Sequence, residues 1–433
     1  MQINFYQLNQ MSPEAKQKLL KRSEMDIENL KESIQLIIDM VQAEGDKAVL
    51  HFTELHDRVS MASEDIKATE KAFDDAEKNL PQSIKTVIER SAANIKKFHQ
   101  AQMPQPLWFT EIDKGVLAGE KVTPISSVGI YVPRGKGSFP SVMLMLCIPA
   151  VIANVSKIVV CTPPQKDGTA DHASLVAARV SGVKDVYQVG GPQAIAAMAF
   201  GTETIPKVDK IIGPGSSYVS AAKRLLFGKV DVGLPAGPSE SIILADEKAD
   251  PSIVALDLLI EAEHGPDSAA LLVTHSLDLA QKVMDKIFEL IDKLPAERKA
   301  FCEKGFSTYG GVVYTETLEK SIEFINEFAP EHLELLVEEP MEVLSQIVNA
   351  GEILLGKYTP ITISNFCLGV NAILPTGGFA KTFSSVTVHD FLKRSSIGWL
   401  SKEGYENLKP IAQAFAQYEG FPAHAMALRD RNL

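Results

Sequence analysis

From Val122 onward the chain repeats one local pattern. Val128–Pro133, Lys157–Cys161, Asp185–Val189 and Asp209–Ile212 are short apolar runs, each closed by a Gly or Pro turn. Segments of helical character, Ser141–Ala153, Asp171–Val180 and Pro192–Phe200, lie between them. Parallel strands need a crossover, and a helix supplies it, so this succession predicts a parallel α/β domain. A second series follows. Ser241–Leu244, Ala270–Thr274, Gly311–Tyr314, Leu333–Val337 and Glu352–Leu355 read as strands; Pro251–Glu263, Leu277–Leu290 and Thr317–Phe328 read as helices. This predicts a second α/β domain. Before Val122, residues from Pro13 to Gln100 carry helical period, clearest through Ile27–Glu44 and Pro81–Phe98, and predict a helical layer making core or dimer contacts. After the second series, Asn371–Phe379 reads as a Gly/Pro-rich loop and Asp390–Gln417 as helix.

Composition narrows the class. A chain of 433 residues exceeds one compact core, in keeping with two or more domains. The formal net charge of −12 argues against a nucleic-acid footprint or a polybasic membrane contact. The four cysteines, Cys147, Cys161, Cys302 and Cys367, form no CxxC pair, so neither a disulfide framework nor a thiolate metal site is expected, and a reducing cytoplasm is the natural setting. The opening MQINFYQLNQ has no basic run and no apolar core of a signal peptide, and no apolar stretch approaches about 20 residues, so no membrane span is expected.

Chemistry concentrates in two places. Glu261-Ala-Glu-His264 sets a carboxylate and an imidazole at i, i+3, one face of a helix and a workable pair of metal ligands. Glu331-His332 sets the same two groups side by side, an acid–base pair. A third pairing, Glu419 with His424, closes the chain, and a distant His424 would complete a nitrogen and oxygen set for Zn²⁺. The other six histidines lie in ordinary amphipathic or loop contexts.

No GxGxxG fingerprint is present. Gly213-Pro-Gly-Ser216-Ser-Tyr218 has Tyr where the third Gly belongs, and Gly190-Gly-Pro-Gln193 fails the spacing. Both follow a strand and open a helix, so their N–H groups could face a phosphate, yet they serve equally as generic α/β turns. Tyr131–Gly137 combines a ring, two cations and two glycines, suited to an anionic nucleotide or to a solvated turn. Ser239 sits in a turn-rich Pro-Ala-Gly-Pro-Ser-Glu run without the GxSxG elbow of a nucleophile.

Ten runs occur in order from Tyr131 to His424: YVPRG, VGGPQAIAAMAFG, KVDKIIGPG, PAGPSE, AEHGPDS, APEHLEL, NAGEILLG, LPTGG, DFLKRSS and EGFPAHA. Together they resemble the histidinol dehydrogenase family. The resemblance implies two incomplete Rossmann-like parallel-sheet domains with small helical N- and C-terminal segments. The boundaries it implies are 1–25 for an N-terminal segment, 26–127 with 240–385 for a discontinuous first domain, 128–239 for a second, nucleotide-side domain, and 386–433 for a C-terminal segment that completes the partner subunit's site. It implies a cytoplasmic homodimer that uses one Zn²⁺ per subunit and NAD to oxidise a primary alcohol through the aldehyde to the acid, with L-histidinol the leading substrate.

By motif, Glu331 and His332 match the family's acid–base pair. Glu261, His264, Asn365 and His424 match the metal ligands, which also border the substrate together with His332, Ser239 and Glu419. Tyr131, Gln193 and Ser216 match the NAD contacts. Four positions depart from the family pattern: Glu261 for Gln, Asn365 for Asp, Ala372 for His and Ser216 for Asn. The first two transpose amide and carboxylate, so the ligand set keeps one negative charge and two imidazoles, and metal retention is expected. Ala372 removes a polar contact near the substrate, which leaves room for a relative that oxidises another small polar alcohol, such as a sulfopropanediol. A non-catalytic ligand-binding protein on the same fold is the alternative of another class; the intact Glu331-His332 pair argues against it.

Overall fold

The computed structural model describes residues 2–22, 28–134 and 137–431. Gly135 and Lys136 of the candidate nucleotide loop, and Ile27, the expected start of a helix, lie outside the described residues. The chain forms two compact units: Met1–Gln102 with Ser126–Phe391, and Met103–Ile125 with Leu392–Leu433.

The larger unit holds two parallel sheets. With strands numbered along the chain, β1 (Phe5–Gln7), β8 (Glu240–Ala245), β9 (Ala269–Thr274), β10 (Gly311–Tyr314), β11 (His332–Leu336) and β12 (Glu352–Leu355) form a six-stranded sheet in the order β1-β10-β9-β8-β11-β12. Four others, β4 (Ser127–Tyr131), β5 (Lys157–Cys161), β6 (Val186–Tyr187) and β7 (Lys210–Ile212), form a second in the order β6-β5-β4-β7. All pairings in both are parallel. The two expected parallel α/β layers are present.

Strand β11 shows how sequence sets the layers. Leu333 and Leu335 enter a core with Phe324 and Phe328, while Leu336 enters the opposite core beside Leu258 and Leu259. Alternation by two therefore carries His332 and Glu334 to the face covered by the helix Pro251–Ala262. That helix starts where it must: Asp250 accepts a hydrogen bond from the Ser252 N–H at 2.8 Å, and Pro251 occupies the first turn.

Two expectations are corrected. Residues 26–127 were grouped with 240–385, but the helices Lys31–Glu44 and Asp46–Phe52 pack on the four-stranded sheet: Ile34, Ile38, Val41, Val49 and Phe52 share one core with Val159, Ile195 and Ile211. The apolar stripe at i, i+4, i+7 meets the small residues of the helix Gly191–Phe200, which permit close approach. Second, Asp390–Gln417 is not one helix. Leu392–Leu400 is strand β13, paired antiparallel along nine residues with β3 (Val116–Pro124), which also pairs with β2 (Leu107–Asp113). Ser395, Ser396 and Gly398 are weak helix formers, and Ser401 then caps the helix Lys402–Tyr418 by accepting from the Gly404 N–H. These strands and that helix, with Pro422–Arg429, make up the smaller unit. Among the described residues no helix is long and apolar enough to cross a membrane.

Candidate active site

Glu331 and His332, the expected acid–base pair, sit at the amino end of β11 in the six-stranded sheet. The helix Leu318–Phe328 ends at Ala329, held in the left-handed region at φ 54°, and Pro330 then delivers Glu331 to the start of β11. Beside them, the Gly351 N–H donates to the Pro330 carbonyl and the Glu352 N–H to the Glu331 carbonyl, each at 2.9 Å. A Cβ at residue 351 would stand 2.6 Å from the Glu331 carbonyl oxygen, so only glycine lets β12 begin there. In the sheet register Ser241, His332 and Glu352 lie side by side on β8, β11 and β12.

The helix Pro251–Ala262 brings Glu261 to the same place. The ligand atoms of Glu261, Glu331 and His332 lie within 4.8 Å of one another. His332 Nε2 is 4.0 Å from Glu261 Oε1 and 3.9 Å from Glu331 Oε1. Its other nitrogen, Nδ1, is 2.9 Å from Glu352 Oε2. Glu261 Oε2 lies 3.2 Å from His264 Nδ1. Two pairs separated by about seventy positions in the sequence thus meet through Glu261 and His332.

Carboxylates outnumber cations here. Glu331 Oε2 accepts from the Glu240 N–H at 2.8 Å, and Glu240 is itself held by Arg22 at 3.1 Å and by the Gly377 N–H at 2.7 Å. The carboxyl-terminal end of the helix bearing Glu261 adds partial negative charge. Burial and the neighbouring Glu261 hold the Glu331 carboxyl well above its ordinary range, against the opposing pull of His332. For His332 burial works downward, but the Glu352 hydrogen bond and the surrounding carboxylates outweigh it and lift the imidazole to about 9. A bound cation would relieve both.

The donor atoms fit a cation. Glu261 Oε1 and Asn365 Oδ1 are buried and have no hydrogen-bond partner. Asn365 follows Ser364, whose hydroxyl donates to Glu352 Oε1. Nitrogen and oxygen donors of this kind suit Zn²⁺. The two remaining expected residues belong to the smaller unit. Glu419 ends the helix Lys402–Tyr418 and His424 lies on Pro422–Arg429; both are exposed and, with Phe415 and Phe421, line a cavity of about 480 Å³.

The expected nucleotide contacts gather at the carboxyl ends of β4, β6 and β7, where open parallel sheets bind ligands. The Tyr131 hydroxyl accepts from the Gly191 N–H at 3.1 Å. Gln193 folds back over Gly191, where φ is 66° and a Cβ would stand 2.5 Å from Gln193 Oε1. Gln193 is fully buried, yet neither atom of its amide has a partner, an arrangement that a polar ligand would satisfy. Ser216 precedes the helix Ser217–Leu226 and makes no cap bond of its own. Ser239, at the entry to β8, accepts through its carbonyl from the Ala269 N–H at 3.0 Å.

The cluster includes residues that the sequence reading left out: Glu352, Ser364, Asp257 and Glu334. Asp257 lies four residues before Glu261 on one helix face, and Glu334 two residues after His332 on one strand face, both readable spacings. Burial lifts Asp257 to about 6 and Glu334 to about 9. Neither Glu334 oxygen has a hydrogen-bond partner among the described residues, and the nearby Asp257 carboxyl raises Glu334 further.

The family model described as histidinol dehydrogenase matches residues 20–432. The chain is 52% identical over 424 residues to the histidinol dehydrogenase of Synechocystis sp., covering 98% of each. It is 48% identical over 429 residues to a histidinol dehydrogenase homolog of Cereibacter sphaeroides, covering 99% of this chain and 97% of that one. A crystal structure of histidinol dehydrogenase from Elizabethkingia anophelis superposes with a TM-score of 0.93 at 33% identity, covering 99% of this chain and 97% of that one. A match of this extent in sequence and fold makes the chain a member of the histidinol dehydrogenase family.

Proposed function

We propose that this protein oxidises L-histidinol, through the aldehyde, to L-histidine at the end of histidine biosynthesis, as a cytoplasmic homodimer using one Zn²⁺ per subunit and NAD. The observation that carries the reading is the meeting of Glu261, Glu331 and His332 within 4.8 Å, with one Glu261 oxygen buried and unpartnered.

Glu261, His264, Asn365 and His424 would hold the metal, and Tyr131, Gln193 and Ser216 the nucleotide, with 128–239 as the nucleotide-side domain. When bound, Zn²⁺ would supply a Lewis acid for the substrate oxygen and NAD a hydride acceptor. His332 Nε2 takes the hydroxyl proton as the first hydride leaves, turning alcohol into aldehyde. Glu331 takes a proton from the water that adds to the aldehyde, and loss of a second hydride gives the acid. Each L-histidinol therefore consumes one water and two NAD. Ser239 and Glu419 would hold the substrate's polar groups.

Glu419 and His424 serve this site from the partner subunit in the proposed dimer. Supporting that, the smaller unit exposes Leu107, Trp108, Phe109 and Ile112 on β2, every residue of which is exposed, and Trp399 and Leu400 on β13. Large apolar side chains exposed in this number on strands of one sheet suit an interaction face.

A second reading, oxidation of another small polar alcohol, is favoured by Ala372 and by the relatives named only homologs at nearly the same identity. NADH absorbance decides. Two NADH per L-histidinol are expected; none with L-histidinol but turnover of another alcohol would replace the first reading with the second, and none with any alcohol would remove both.

A further inference from the structure

We infer that Glu352 is the positioning residue for His332, gripping the imidazole at Nδ1 so that Nε2 points toward Glu261 and Glu331. The inference rests on the proposed role of His332 as proton acceptor and adds a residue to it. Glu352 stands directly opposite His332 in the β11–β12 register, and Oε2 lies 2.9 Å from Nδ1. Its other oxygen is committed to the Ser364 hydroxyl, so the carboxylate cannot swing away without breaking that bond. Both side chains are buried, 4% exposed for His332 and 7% for Glu352, so water does not compete for Nδ1.

The direction of the bond fixes the tautomer. An ionised carboxylate only accepts, so Nδ1 carries the proton and the neutral ring keeps its lone pair on Nε2. That is the nitrogen 3.9–4.0 Å from the Glu331 and Glu261 oxygens. Glu331 is committed elsewhere, accepting from the Glu240 N–H, and Glu352 is the group bonded to Nδ1. A ring free to rotate would present the wrong nitrogen, or none, for part of the time.

The test is a double-mutant cycle on the full-length, zinc-loaded enzyme with NAD and L-histidinol. Glu352→Gln is expected to lower kcat by about 10–100-fold, the usual cost of losing an orienting partner, with KM changed less than about threefold. In the His332→Ala background the same substitution should cost nothing further, because the group it positions is gone. Ser364→Ala, which loosens Glu352 without removing it, should lower kcat by a smaller factor and serves if Glu352→Gln does not fold. Wild-type kcat in both folded variants would overturn the inference. So would a Glu352→Gln loss of the same factor with and without His332, which marks a merely structural residue. If His332→Ala itself keeps full turnover, the reading of His332 fails; if His332→Ala is slow and Glu352→Gln is not, only the positioning role fails.

Discussion

Glu334 is fully buried near another buried carboxyl, Asp257. Burial lifts Asp257 to about 6 and Glu334 to about 9, against about 4 in an unfolded chain. The folded state therefore keeps protons that the unfolded chain releases. The stability this contributes is complete below about pH 4 and is lost as pH rises through 6 and then 9. Glu334→Gln, which keeps a donor toward Asp257 without needing the proton, should flatten the fall of Tm between about pH 6 and 9. Tm of the two proteins across that range checks it, and equal slopes would count against a proton held on Glu334. The adjacency of Glu331 and His332 and the i, i+3 spacing of Glu261 and His264 were legible because they are local. That the pairs meet, and that Glu352 faces His332, were not: Glu352 reads as an ordinary strand residue until the register of β11 and β12 is known.

At the scale of elements, the helix Pro251–Ala262 does two things. Its apolar face, with Val254, Leu258 and Leu259, fills a core, and its last turn carries Glu261 into the cluster of carboxylates. Glu261→Ala should leave the first intact and remove the second. Metal analysis should then fall from about one zinc per chain to a small fraction of that, with the far-ultraviolet circular dichroism unchanged. Zinc retained in full would take Glu261 out of the ligand set. Most helices and strands between Val122 and Leu355 were legible because period and turn residues agree with their packing. Leu392–Leu400 was not, because its partner β3 lies some 270 residues earlier and a polar, serine-bearing stretch gives no local sign of the ladder. The helix Ala296–Thr308 was also passed over: its apolar residues are few, and Cys302 and Phe306 alone carry its burial among the larger side chains.

For the whole molecule, the exposed aromatic residues of the smaller unit argue for a second copy of the chain. Sedimentation should give a dimer. Trp108→Glu, which sets a charge on that surface, should give a monomer and lower turnover by roughly 10–100-fold through loss of the partner's ligand. A fully active monomer would sink the shared site. Within each subunit, one detail of the large sheet has a further effect. Strand β12 is four residues long and, among the described residues, has a neighbour on one side only. Outermost strands open more readily than central ones. The proposed grip of Glu352 on His332 therefore sits on an outer margin of the sheet, and turnover should fail under milder denaturing conditions than those that unfold the bulk of the chain.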